Sequence, residues 1–299
     1  MASSIFPSRR VSARLCAGLD IGPDRVQLAL LRRCGQRPQL LRLDQRRSAR
    51  PLCRDGQVVD FDALVLICRS LLDNPACQGA MLALALPAAT LTGRRLVLPA
   101  ASSEVQRLAQ VRAEMAAHGA SDEAQVLDYR VLGPQPASPA DVQVLALAAS
   151  TLAIEDRLAL AEALSRPLAT LAPEDLCLAA WLRDERRADQ TAILRLDRGG
   201  NWLLHGTAPT HCLSPQAAAR GPLPLLASVA PLLTPLPRRL LLSGDAPNLN
   251  VTARAFIKYA GIDAQLAPIP SPLMLSSAIA AQIPVDYQLA LALAWEGMA

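Results

Sequence analysis

Aromatic residues make up only 3% of this chain of 299 residues, and lysine occurs once, as Lys258. So few rings offer no platform on which single-stranded nucleic acid could stack. Positive charge is carried almost wholly by arginine. With 30 basic against 26 acidic residues the net charge is +4, too mild for a nucleic-acid footprint, and no nucleic-acid partner is expected. Histidine occurs three times, at 118, 205 and 211, and none of the seven cysteines (16, 34, 53, 68, 77, 177 and 212) forms a Cys-x-x-Cys pair. That spacing excludes a zinc module, and no metal-ligating residues are expected. Scattered thiols in odd number read as buried side chains in a reducing compartment. No Gly-x-Gly-x-x-Gly or Gly-Lys-Ser/Thr loop occurs, which excludes a dinucleotide fold or P-loop. No Ser-His-Asp or Cys-His set offers a nucleophile, so no catalytic residue is expected.

What is abundant is aliphatic. Hydrophobic residues reach 52% and charged residues 19%, which predicts a folded core of Leu, Ala and Val under helix-covered sheets. The length allows one large domain or two lobes. The opening Met1-Ala-Ser-Ser-Ile-Phe-Pro-Ser-Arg-Arg has bases but no apolar run behind it, so no secretory signal is expected. Two uncharged stretches, 221–237 and 264–285, are broken by prolines (five in the first; 268, 270, 272 and 284 in the second). Neither suits a spanning helix, and a soluble cytoplasmic protein follows as the expectation.

Periodicity predicts a loose start over 1–13, a strand over 15–21, its hairpin partner over 26–32, and a third strand over 36–44. A helix over 61–72 starts after Asp60, a suitable N-cap, and 80–86 reads as a buried strand. Ser102 or Ser103 opens a helix that runs to His118-Gly119. A strand over 125–132, a proline-rich loop over 133–140 and a buried strand over 142–149 follow. A helix over 151–165 capped by Thr151, a strand over 169–172, a helix over 173–185 and a charged linker over 183–190 complete the first half. The second half restarts with strand 191–196, a turn over 197–201, a return strand over 202–206 and a strand over 239–242. Helix 249–260 ends at Gly261; a short strand over 264–266 and a last helix over 287–295 follow.

The strand–turn–strand opening occurs twice. Asp20, in Ala17-Gly18-Leu19-Asp20-Ile21-Gly22, ends an apolar run with Gly22 close behind. Asp197-Arg198-Gly199-Gly200 repeats the pattern. Glycine turns let backbone N–H groups approach a phosphate, and an Asp can hold a metal or water. Each is equally an ordinary hairpin turn, Gly-Gly being a good one. Ser243-Gly244 ends a later strand, with Asp245 a possible cap for the helix that follows.

The order of these motifs resembles the PilM family, actin-like cytoplasmic proteins of type IV pilus assembly related in fold to FtsA. Asp20-Ile21-Gly22 with Val26 is similar to the family's first phosphate turn. Leu98-Pro99, Ser103-Glu104 and Glu114 resemble its inserted subdomain, and Leu127-Asp128-Tyr129-Arg130-Val131-Leu132 its next strand. Asp197-Arg198-Gly199-Gly200 stands where the second phosphate turn belongs, and Leu241-Leu242-Ser243-Gly244 resembles the late turn near base and sugar. The resemblance implies an actin-like (ribonuclease H-like) α/β fold. Its first lobe would cover 14–187, with an inserted subdomain about 98–140. A trimmed second lobe would cover 188–299, its last helix able to pack on the first.

It also implies a nucleotide site of Asp20, Gly22, Asp197, Gly199, Gly200, Ser243 and Gly244, taking ATP and Mg. The chain departs from the family at Pro23-Asp24-Arg25-Val26-Gln27, where small hydroxyl residues and a Lys are usual; Asp24 puts a carboxylate beside phosphate unless Arg25 or Mg offsets it. It departs again at Asn201-Trp202 and Asp245-Ala246-Pro247, and in a short, proline-broken stretch where the family closes over the base. Two functions stay open. One is a scaffold that binds the N-terminal tail of a PilN-like inner-membrane protein, couples to pilus motor ATPases, and sits peripherally at the inner face of the inner membrane. The tail's groove would draw on 81–86, the helix after Ser103 and the strand around Tyr129. The other is an actin-like ATPase whose ATP state gates docking. A sugar kinase would need a catalytic Asp in a sugar pocket, and no such motif is read.

Overall fold

The computed structural model describes residues 13–35, 37–119, 124–182, 190–205, 210–214, 219–270, 273–275 and 283–299. The polar start over 1–12, most of the charged linker and Glu123 lie outside them.

The first sheet is built on the hairpin β1 (Leu15–Ile21) and β2 (Arg25–Cys34), extended antiparallel by β3 (Arg37–Arg47). β6 (Met81–Leu86) and β10 (Leu168–Pro173) add on the other side, parallel to β1 and to each other. Strand order is β10-β6-β1-β2-β3-β16, the last being Met274–Leu275 from late in the chain, while β4 (Cys53–Arg54) and β5 (Gln57–Val58) pair with each other as a separate ribbon. β1 and β6 are near-continuous apolar runs because both faces are covered. The second sheet has the order β13-β12-β11-β14-β15. Here β11 (Thr191–Asp197) and β12 (Gly200–His205) repeat the hairpin, β13 (His211–Leu213) lies outside β12, and β14 (Arg239–Ser243) and β15 (Asp263–Leu266) run parallel to β11.

Helices cover these sheets in layers. α1 (Phe61–Leu72), capped by Asp60 Oδ1 accepting from Ala63 N, and α3 (Thr151–Ala163) cover one face of the first sheet. α5 (Pro222–Val229) and α6 (Leu249–Ala260) cover the far face of the second. Between the sheets lie α4 (Glu174–Leu182) and α7 (Gln288–Glu296), joined in one core to Cys16, Ala29, Leu31 and Ala83 on one side and Ile193, Trp202, Leu204 and Leu241 on the other. The Trp181 and Trp295 rings meet edge-on, 5.5 Å apart. Trp181 Nε1 donates to Gln288 Oε1 at 2.7 Å, and Gln288 Nε2 donates to the Ala267 carbonyl at 3.0 Å, so this buried amide is satisfied at both ends.

A small third sheet is formed by the chain between β6 and β10, in the order β7-β9-β8: β7 (Leu91–Pro99), β9 (Ser138–Ser150) and β8 (Gln125–Gln135). α2 (Glu104–Ala116) packs Val111 and Met115 on one of its faces. A capping box starts this helix: Ser103 Oγ accepts from Gln106 N and Gln106 Oε1 accepts from Ser103 N.

Four expectations need correction. The proline-rich 133–140 is not a loop. β8 and β9 run through it as a hairpin, with register shifts at Gly133 and Pro134 that absorb the prolines. β7 is a strand where none was expected, because Gly93-Arg94-Arg95 breaks its apolar pattern. α3 is capped by Ser150, whose Oγ accepts from Ala153 N, not by Thr151. Asn248, not Asp245, precedes α6. Among the described residues no helix is long and apolar enough to cross a membrane, and all seven cysteines are free. Burial pushes the Cys16 and Cys68 thiols up to about 12, which leaves them inert.

Candidate functional site

The two Asp-Gly hairpin turns come together between the sheets. β1 passes to β2 through Gly22-Pro23-Asp24, and the Gly22 N–H donates to the Arg25 carbonyl at 2.8 Å. β11 passes to β12 through Arg198-Gly199, closed by the Asp197–Gly200 pair, and Gly200 has φ +155°, a region open to glycine. The turns touch: a Cβ on Gly199 would lie 3.2 Å from Pro23 Cδ. The Gly199 N–H donates to Asp197 Oδ1 at 3.1 Å and the Arg198 N–H to Asp245 Oδ1 at 3.1 Å.

Two buried guanidinium groups fill the space behind the turns. Arg195, inside β11, sends Nη2 to Asp20 Oδ2 at 2.8 Å and to Asp197 Oδ2 at 2.9 Å. Arg25, at the start of β2, reaches Asp197 at 3.3 Å, Asp245 at 3.1 Å and Asp286 at 3.4 Å. These arginines are 2–3% exposed, and a buried charge persists only when paired. Outside them, Arg198 reaches Asp24 at 3.2 Å and Arg47 reaches it at 3.7 Å. The Asp24 carboxylate is thus offset by Arg198 and Arg47, not by Arg25. Burial raises the Asp20 carboxyl, with Arg195 opposing. For Arg195, burial pulls downward, and Asp20, Asp197 and Glu174 more than reverse it, so the guanidinium is held charged.

Beside this cluster opens a cleft of ≈ 320 Å³ lined by Asp20, Arg54, Glu174, Arg195, Arg198 and Trp202 among others. Of the residues expected to form a nucleotide site, Asp20, Gly22, Asp197, Gly199 and Gly200 line it. Ser243 and Gly244 do not. Ser243 is fully buried, its Oγ without a partner. Gly244, at φ +112°, lies so close to β11 that a Cβ would fall 2.0 Å from the Leu196 carbonyl oxygen. Sequence reasoning passed over Arg195 and Glu174. An arginine inside the apolar run Ala192-Ile193-Leu194 was the available signal, since such a charge requires buried partners.

Glu174 opens α4 and accepts from the Ala88 N–H at 2.8 Å. Burial outweighs this bond and the nearby Arg195, and pushes its carboxyl up to about 7 from 4.5. Unfolded, the group ionises near 4.5; folded, it holds its proton to about 7. It therefore costs nothing below pH 4.5, an increasing amount up to about 7, and a full penalty above. Glu174→Gln should stabilise the protein above neutrality by up to about 3 kcal/mol and have little effect in acid. Urea unfolding across pH reads this directly; a pH-independent difference would contradict it.

As a test of fit, Mg and a nucleotide need free carboxylates and free N–H groups. Here Asp20 and Asp197 hold arginine, and the N–H groups of Gly22, Arg198 and Gly199 are all engaged. As arranged, these residues do not fit the group. Among the described residues no cluster of His, Cys, Asp or Glu could hold a metal ion.

The chain resembles known proteins along most of its length. A solved structure described as the PilM-PilN type IV pilus biogenesis complex matches with a TM-score of 0.75 at 20% identity, over 97% of this chain and 100% of that one. The cytoplasmic domain of EpsL, an inner-membrane component of the type II secretion system of Vibrio cholerae, matches with a TM-score of 0.52 at 14% identity, over 94% of each chain. The ethanolamine utilization protein EutJ from Carboxydothermus hydrogenoformans matches with a TM-score of 0.53 at 10% identity, over 96% of this chain and 91% of that one. At these identities the likeness is one of fold, which is actin-like. No curated protein sequence matches. The family model for type IV pilus assembly protein PilM covers residues 18–170, more than half of the sequence. The chain is a member of the PilM family.

Proposed function

We propose that this protein is a scaffold of type IV pilus assembly that binds the N-terminal cytoplasmic tail of a PilN-like inner-membrane protein. The observation that carries the reading is the chain-long likeness to the solved PilM-PilN complex, joined to family membership. In this reading the tail holds the protein in the cytoplasm at the inner face of the inner membrane, and pilus motor ATPases are its partners on the other side. Two lobes would divide near residue 187, with α7 returned to the first.

The small sheet offers the docking surface. Its face opposite α2 carries Leu145 and Leu147, which line a narrow pocket with Ala88, Leu91, Gly93 and Leu176. Val97, on β7 and paired with Gln143 beside Leu145, extends this face into solvent at 53% exposed. An extended peptide laid here gains apolar anchors, and β8, an outer strand of this sheet among the described residues, can add main-chain bonds. β6 lies inside the first sheet, its main chain already paired with β1 and β10.

Val97→Asp should weaken binding of the PilN-like tail peptide about tenfold or more, the equivalent of ~1.4 kcal/mol. Val105→Asp, on the exposed side of α2, should leave it unchanged. Calorimetric titration of both variants checks this, and equal loss in both would remove the tail from this face. The second reading, an ATPase whose nucleotide state gates docking, draws on the cleft beside the two Asp-Gly turns with Arg54, Arg195 and Arg198 on its walls.

A further inference from the structure

We infer that Arg195, supported by Arg25, occupies the place of a bridging cation between the two sheets, so that the chain latches itself closed without nucleotide. The observation is the connectivity of the charges. Arg195 comes from the second sheet and binds Asp20 of the first at 2.8 Å. Arg25 comes from the first sheet and binds Asp197 at 3.3 Å and Asp245 at 3.1 Å, both on the second-sheet side. Arg198, from the second hairpin, crosses the other way to Asp24 at 3.2 Å. Every one of these pairs joins the two halves.

Arg195 stands out among them. One nitrogen, Nη2, lies within 2.9 Å of a carboxylate oxygen from each hairpin. Two carboxylates converging on one positive centre from opposite sides is the arrangement a divalent cation would otherwise create. Here the centre is covalently part of β11 and cannot be exchanged. The turn amides are consistent with this. Gly22 N–H is bonded to Arg25 O, Gly199 N–H to Asp197 and Arg198 N–H to Asp245, so none of these three is left for phosphate oxygen. Pro23 stands against Gly199, where an added Cβ would lie 3.2 Å from its Cδ. The inference goes beyond the scaffold reading and is separable from it. A chain that opened for nucleotide could still bind the tail, and a permanently latched chain could fail to.

The test is thermal unfolding of the wild type and of Arg195→Ser, each with no addition, with millimolar MgCl₂ and with millimolar Mg-ATP. The wild-type Tm should move by less than about 1 °C in all three; a ligand at a hundred times its Kd would raise it by about 5–10 °C. Arg195→Ser should lose on the order of 10 °C, because it leaves Asp20 and Asp197 facing each other without a cation. Magnesium chloride alone should return part of that loss in the variant and none in the wild type. A wild-type Tm raised by Mg-ATP would overturn the inference. So would a serine variant as stable as wild type, or one that folds, is destabilised and is indifferent to magnesium. If the serine variant does not fold, the wild-type arm decides alone, with Arg195→Lys beside it. Lysine keeps the charge but lacks the planar fork, and should be intermediate in Tm and unresponsive to magnesium. A magnesium response in the lysine variant equal to that expected for serine would overturn the inference too.

Discussion

Gly18→Ala should destabilise the protein by about 3 kcal/mol or more. Gly18 is the middle of β1, paired with Ala29 on β2 and Ala83 on β6. These three small residues form a shallow seat for α7, whose Ala290 and Ala294 lie directly over Gly18. A Cβ at this position would fall 2.1 Å from the Ala290 carbonyl oxygen and 2.6 Å from the Ala294 nitrogen. Both are backbone atoms of a helix and cannot rotate aside, so the whole helix must lift. Because α7 packs on the first sheet and on α4 at once, lifting it loosens the layer between the sheets. Urea unfolding gives the difference, and a change below about 0.5 kcal/mol, the usual size at an uncommitted surface site, would contradict the close approach.

Arg25→Leu should cost about 3–5 kcal/mol near neutral pH, the range for removing one partner of a buried charge cluster. Three carboxylates, those of Asp197, Asp245 and Asp286, converge on this guanidinium. Without it they repel one another in a site with little water. The pH dependence distinguishes this cause from lost packing. Burial and Asp197 already push the Asp245 carboxyl up, and Arg25 is among the charges that pull it down. Removing Arg25 raises it further, so the variant regains stability by taking up a proton as pH falls. The deficit relative to wild type should therefore shrink in mild acid and grow toward neutrality. A deficit independent of pH would assign the effect to the lost aliphatic stem instead.

Much of the frame was written locally in the sequence. Asp60 before an apolar helical repeat marked α1, Gly261 marked the end of α6, and the two Asp-Gly hairpins stood out because both an apolar run and a tight turn leave strong signals. β7 was hidden because its two arginines and Gly93 interrupt the alternation that a half-buried strand shows. The β8–β9 hairpin was hidden for the opposite reason, since Pro134 and Pro136 read as a loop although register shifts let β8 pair through Gly133 and Pro134. The site was legible in part. Asp20 and Asp197 could be picked out singly, but that one arginine holds both is a fact of tertiary register. It follows from β11 facing β1 across α4 and α7, which no local pattern encodes. Glu174 was invisible for a related reason: at the start of a helix an acid looks like an ordinary dipole partner, and only its burial under Ala88 and Arg195 makes it unusual.

The geometry separates two tasks that the actin-like fold can combine. The cleft between the sheets is held by the chain's own charges. Val97, on the small-sheet face that carries the buried Leu145, is 53% exposed. In the proposed scaffold reading, docking of the tail needs no nucleotide cycle in the cleft.

The most direct measurement of the central claim is calorimetric titration of the purified protein with the PilN-like N-terminal tail peptide, with and without Mg-ATP. The account predicts saturable binding with the same Kd in both conditions. No binding by a folded sample would contradict the scaffold role, and binding that appears only with Mg-ATP would replace it with a nucleotide-gated one.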